Sequence, residues 1–189
     1  KNFFLITINS LTLNFTNFLH RYLILIYVDK TLAGILFFIY SMGSFPSNLF
    51  NYVFNTTLIR NKFGLPFPII IVISLYSLLF MYLLFIYIFK IENSIVLDYF
   101  KEEHLIYVLF SMIGGIIMSY AIFNKNKILK IKNSLQKILN AEIIYSLIIL
   151  SLIPIFNKYI NPSSLGYLFF FNSIIAAIIF TSFYRINKN

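Results

Sequence analysis

Of the chain's 189 residues, 60% are hydrophobic and 20% aromatic, but only 11% carry charge, where a water-soluble domain carries about 25%. Fifteen bases and six acids cannot clothe a globule of this size in water, so a soluble fold is excluded and the chain is expected to meet lipid. The absence of Cys rules out disulfides, thiolate metal sites and cysteine nucleophiles, and the net charge of +9 reads as topology information, because a basic nucleic-acid groove needs a water-facing surface.

A helix needs about 20 predominantly apolar residues to cross a bilayer. Cutting the chain at its charges leaves Asn2–Leu19, Thr31–Ile59, Phe63–Phe89, Leu105–Asn124, Ile143–Asn157 and Tyr159–Tyr184. This predicts an all-α, polytopic transmembrane bundle of about six helices. The first stretch is diluted by Asn9, Thr12, Asn14, Thr16 and Asn17, so residues 1–30 are expected either to cross as Ile8–Val28, drawing in His20 and Arg21, or to lie in the interface. The second ends at the basic turn Arg60-Asn61-Lys62, and the third leads into an acidic loop, Lys90–His104. Lys125, Lys127, Lys130, Lys132 and Lys137 follow the fourth, and the fifth is expected to begin within Lys132–Ala141. Pro162 is placed to start the last helix. Counting Lys and Arg, the loops after the even helices carry two, five and two, against two and one after the third and fifth. That asymmetry puts the Lys125–Lys137 connection and the C-terminus on the cytosol-equivalent side. No cleavage site follows Lys1, and without an initiator Met the chain is expected to be a fragment or a processed form. Its wealth of Phe, Ile, Tyr, Asn and Lys fits an AT-rich coding sequence, and an organellar or endomembrane location is expected.

Polar residues inside such spans are the functional candidates. Ser44, Asn48, Asn51 and Asn55 recur at i, i+4, i+7 and i+11, one helical face. They read as the wall of a cavity that hydrogen-bonds a polar solute, or as glue between helices. Asn9, Thr12, Thr16 and His20 share a similar register. At the entrance of the fifth helix Lys130, Ser134 and Lys137 share a face, beside Asn133, Gln136 and Asn140. Lys137 can attract an anionic solute by charge, or simply snorkel to the interface. Glu142 borders an otherwise apolar run, a position suited to proton coupling or to a cationic group. The sets Ser111, Gly115, Ser119 and Ser173, Ala177, Thr181 have the small-residue spacing of close helix packing.

No phosphate-binding glycine loop is present, and two His on different segments make no zinc or haem site. No cofactor, metal or nucleic acid is expected. Gly43-Ser44-Phe45-Pro46 resembles the G-S-x-P motif of membrane glycerol-3-phosphate acyltransferases, whose other motifs are missing, so no enzyme is expected.

From Thr31 onward the order of features resembles the second half of a drug/metabolite transporter superfamily protein. The likeness rests on Leu32-Ala33-Gly34 through Ser47-Asn48 to Arg60-Asn61-Lys62, then Met112-Ile113-Gly114-Gly115. It continues with Ile153-Pro154-Ile155-Phe156-Asn157-Lys158, the turn Asn161 to Tyr167 and the basic tail from Tyr184 to Lys188. It is nearest the branch of nucleotide-sugar, triose-phosphate and chloroquine-resistance-type transporters, although the phosphate-binding Lys-Arg pair of the triose-phosphate carriers is not found. The resemblance implies a five-helix half-domain over residues 31–189, part of a ten-helix carrier with its site at mid-membrane. It implies alternating-access movement of a small polar solute held by Ser44, Asn48, Asn51 and Asn55, with Lys137 and Glu142 beside them. The partners expected are the lipid bilayer and a missing N-terminal half or second chain that completes the bundle. The competing expectation is a structural membrane subunit of an organellar respiratory or ATP-synthase complex.

Overall fold

The structure, a computed structural model, describes residues 2–49, 72–73, 75–83, 102–128, 134–159 and 162–188. Apart from the break between the first two helices, these residues are helical, and none of them forms a strand. The helices are α1 (Asn2–Tyr27), α2 (Lys30–Leu49), α3 (Glu102–Ile128), α4 (Ser134–Tyr159) and α5 (Leu168–Lys188), the last entered through a 3-10 turn, Pro162–Tyr167. Residues 72–73 and 75–83 are also helical. Asn51, Asn55, the Arg60-Asn61-Lys62 turn and most of the acidic loop lie outside the described residues.

Three described helices are long and apolar enough to cross a membrane: Ile106–Ile128, Ser134–Lys158 and Ser164–Ile186. The apolar run of α2, Lys30–Phe45, is shorter. The chain is therefore an integral membrane protein with at least these three candidate spans. Their outer faces fit lipid as solvent: Ile143, Ile144, Leu147 and Ile155 of α4 are all exposed, as a bilayer-facing stripe requires.

Two boundaries differ from the expectation drawn from charge. α3 begins at Glu102, so Glu102, Glu103 and His104 belong to a helix and not to the loop. It then runs on through Lys125 and Lys127 to Ile128, so these two lysines also belong to the helix. Charge does not end a helix: Lys is a good helix former, and bases in the last turn complement the helix dipole. Here Lys127 also lies over the Phe123 ring at 4.3 Å and the Tyr184 ring at 5.2 Å.

Pairwise contacts fix the relative directions. Tyr107 meets Tyr167, Phe110 meets Phe170, and Asn124 bonds Thr181, so α3 and α5 run parallel. Thr16 bonds Ser146 while Ile24 shares a core with Ile153, so α1 runs parallel to α4. Tyr145 faces Phe180 and Phe156 faces Phe171, which makes α4 and α5 antiparallel. α5 sits among the others, touching α3 most extensively, then α4, with Asn172 reaching α1 and Phe169 reaching α2. Lys125, Lys127, Lys137 and Arg185 consequently gather at one end of the bundle, and Asp29, Lys30 and Lys158 lie at the other. At that second end Asp29 caps α2 by accepting the Leu32 amide at 2.8 Å.

α2 and α3 approach closely because glycines meet there. A Cβ on Gly43 would stand 2.7 Å from the Ser111 carbonyl oxygen and 2.8 Å from Phe169. Ser111 Oγ donates to the Ile39 carbonyl at 2.8 Å, and the Tyr76 hydroxyl donates to that of Gly43 at 2.6 Å. The small-residue spacing in α3 thus serves helix packing. A further hydroxyl, that of Tyr40, donates to the Leu165 carbonyl at 2.6 Å and ties α2 to the entry of α5. Replacing Tyr40 by Phe keeps the ring and removes about 1 kcal/mol of hydrogen bonding. The melting temperature in detergent is expected to fall by a few degrees, and an unchanged value would show that Leu165 has another donor.

Candidate functional site

Two of the polar systems within the described bundle include an acid or a histidine. The first is an ion pair across α3 and α4. Glu142 is fully buried, and one of its carboxylate oxygens, Oε1, accepts from Lys125 Nζ. The other, Oε2, is buried without a hydrogen-bond partner. Glu142 stands eight residues into α4, about 12 Å from its start at 1.5 Å per residue. Lys125 lies three residues before the end of α3, so its side chain reaches inward to the carboxylate where a lone lysine would snorkel outward. The Phe180 ring of α5 lies 5.8 Å from the ammonium, an arrangement that adds cation–π attraction in a water-poor setting.

The second system belongs to α1, whose two polar faces do different things. The inward face carries Asn9, Thr12, Thr16 and His20. Thr16 is buried and shares a 2.9 Å hydrogen bond with Ser146 of α4. His20 Nε2 lies 3.3 Å from the Asn172 amide nitrogen of α5, and its ring lies 5.8 Å from the Tyr40 ring of α2. Asn172 is buried, and its Oδ1 has no partner. The opposite side of α1 is exposed. One part of it is apolar, with Phe4, Leu11, Phe15, Phe18 and Tyr22 all more than half exposed. Beside these runs an exposed polar stripe, Ser10, Asn14, Asn17 and Arg21, at i, i+4, i+7 and i+11.

The α2 candidates lie apart from both systems. Ser44 is half-buried, and its hydroxyl donates to Ser41 within the same helix at 3.3 Å. Asn48 is exposed one residue before the last described residue of α2. The buried face of α2 is instead Leu36, Ile39, Gly43 and Ser47. Asn51 and Asn55 lie outside the described residues. Lys137 is half-buried in the first turn of α4, at the basic end, next to Gln136 of the exposed Gln136–Asn140 contact. The structure thus joins Glu142 to Lys125 and does not bring it together with Ser44 or Asn48.

Sequence reasoning passed over Lys125, Ser146 and Asn172. Asn172 had a legible signal, since it interrupts an apolar run longer than a membrane needs. Ser146 stands one turn from Glu142. Lys125 had none, because its partner comes from another helix. Among the described residues no three His, Asp or Glu side chains cluster to hold a metal ion.

Comparison with protein-family models, with curated proteins and with solved structures yields no match for this chain. The reading of its function therefore rests on its own residues.

Proposed function

We propose that the protein is an integral membrane carrier that moves a small polar solute by alternating access. The observation that carries this reading is the exposed stripe Ser10, Asn14, Asn17 and Arg21 on a helix packed along the apolar span α4. Amides and a guanidinium facing hydrocarbon are costly, so such a stripe is expected to border a water-filled space or another protein surface. Between two halves of a carrier it borders both: a solute path, and a second half across it. In this reading the sequence stripe Ser44, Asn48, Asn51 and Asn55 contributes a separate polar patch to the path, and Lys137 and the other bases draw anionic solutes to the mouth. The family resemblance to the drug/metabolite transporter superfamily, the count of about six spans and the organellar or endomembrane setting belong to this proposal. So does a cytosol-equivalent position for the basic end and the C-terminus, which the positive-inside rule supports.

The intact protein, reconstituted in liposomes, is expected to accumulate at least one member of a panel of sugars, amino acids, nucleosides and small organic acids. The double substitutions Asn14→Leu with Asn17→Leu, and Asn48→Leu with Asn51→Leu, are expected to lower that uptake at least tenfold while the protein stays monodisperse. Absence of uptake across the panel, or full uptake by both variants, overturns the reading. The second reading, a structural subunit of an organellar complex, is favoured by the same stripe if a neighbouring chain covers it. Native purification then gives a large assembly in which Asn14 and Asn17 are protected from labelling after cysteine substitution.

A further inference from the structure

α1 carries a polar row on its buried side as well as the exposed stripe, and that row has no part in holding a solute that arrives along the outer face. Its members connect across helices. Glu142 and Ser146 stand one turn apart on the same face of α4, both buried. Ser146 is hydrogen-bonded to Thr16 at 2.9 Å. His20 follows Thr16 by one turn on α1, and Asn172 lies 3.3 Å from its ring nitrogen. The row thus rises two helical turns, about 11 Å, from the carboxylate near the basic end to an imidazole seven residues before the far end of α1. Adding the 12 Å or so between Glu142 and the basic end and about 10 Å between His20 and the far end spans the roughly 30 Å hydrocarbon core.

We propose that Glu142, Ser146, Thr16, His20 and Asn172 form a proton path through the bundle and that the proton is the ion coupled to solute movement; this deepens, and rests on, the carrier reading above. Two features suit the row to that work. Thr16 has one hydroxyl proton and two acceptors in reach, the Thr12 carbonyl at 2.7 Å and Ser146 Oγ at 2.9 Å. Its bond to Ser146 can therefore run in either direction. Asn172 can serve both states of His20. Its amide N–H donates to a neutral Nε2, and its unpartnered Oδ1 can accept from a protonated one after the amide turns.

The proton balance is simple. A proton from the basic end adds to the Glu142 carboxylate and opens the ion pair with Lys125; Glu142 then gives up that proton toward Ser146, and the pair with Lys125 re-forms. Ser146 and Thr16 each take a proton on oxygen and release their own, with water bridging the one-turn gaps. His20 Nε2 receives a proton and gives it up at the far end, so one proton enters and one leaves. The other charged or titratable groups bearing on the row are Lys125 from α3, Tyr145 on α4, Tyr40 from α2 and Arg21 beside His20. α5 adds Asn172 and Phe180, neither of which titrates.

The test is proton influx into proteoliposomes holding a trapped pH dye, driven by a potassium diffusion potential, with the solute panel on both sides. The intact protein is expected to acidify the lumen well above empty liposomes. His20→Gln, which keeps a hydrogen bond to Asn172 but cannot titrate, is expected to slow the influx at least tenfold, and Ser146→Ala to do the same by breaking the hydroxyl bridge. Influx no faster than in empty liposomes overturns the proposal, as does a wild-type rate in either variant that elutes as a monodisperse protein. Solute uptake that is indifferent to a pH gradient defeats the proton path and leaves the carrier standing. Proton influx with no uptake of any solute supports the path and defeats the carrier.

Discussion

Lys125→Met is expected to be more damaging than Glu142→Leu, although both break the same ion pair. Removing the lysine leaves a carboxylate with no side-chain exposure, about 12 Å from the helix start, and an unpaired buried charge costs about 3–5 kcal/mol. Removing the glutamate leaves a lysine whose side chain is already 24% exposed and which stands three residues from the end of α3. Its flexible stem can swing outward to water, so the loss is held to about 1.5–3 kcal/mol, the usual value of a charge-assisted hydrogen bond. The double variant, apolar on both helices, is expected to recover most of the stability, because a well-packed apolar pair often equals a buried ionic one. Thermal unfolding in detergent of the four proteins, arranged as a double-mutant cycle, measures this. Equal losses for the two single variants would mean that Lys125 cannot reach water. A double variant as unstable as the worse single one would mean that the pair is held by more than its mutual charge.

The second large effect concerns the glycines. Gly115→Val is expected to lower stability by about 3 kcal/mol, at the upper end of ordinary overpacking. A Cβ there runs into the Gly43 carbonyl and the Tyr76 hydroxyl, with the Tyr76 ring carbon only 2.8 Å away. Backbone cannot yield cheaply, and moving Tyr76 also breaks its 2.6 Å bond to Gly43. Gly34, in the same helix as Gly43, gives the control. Nothing lies within 4 Å of a Cβ at that position. Gly34→Ala is therefore expected to be neutral or to stabilise by up to about 1 kcal/mol through helix propensity. Unfolding temperatures of the two variants should move in opposite directions or differ by several degrees. Similar values would show that α2 and α3 can separate at no cost.

Much of the helical plan was legible because its signals are local. The uncharged stretches Leu105–Asn124 and Tyr159–Tyr184 lie within or against α3 and α5, and α4 opens at Ser134, inside the Lys132–Ala141 interval where its start was expected. The ends read less well. Lys125 and Lys127 look like a loop when charge marks the boundary, yet their backbones remain helical while their side chains find a carboxylate and two rings. Glu142 was legible as a lone acid near an apolar run, and Asn9, Thr12, Thr16 and His20 as a register on one face. Which of the polar faces of α1 and α2 turns inward was not legible, since periodicity defines a face without saying what it meets.

What the sequence determined by itself is the solvent and the secondary structure: so few charges over so much apolar surface demand a bilayer, and a bilayer demands helices whose backbone bonds close internally. What only the tertiary structure decided is the pairing of the polar groups. Lys125 meets Glu142, Thr16 meets Ser146 and His20 meets Asn172 because parallel and antiparallel packing set residues from distant segments at the same depth. Inside lipid, where no water competes for them, a shared depth determines which polar groups can satisfy one another.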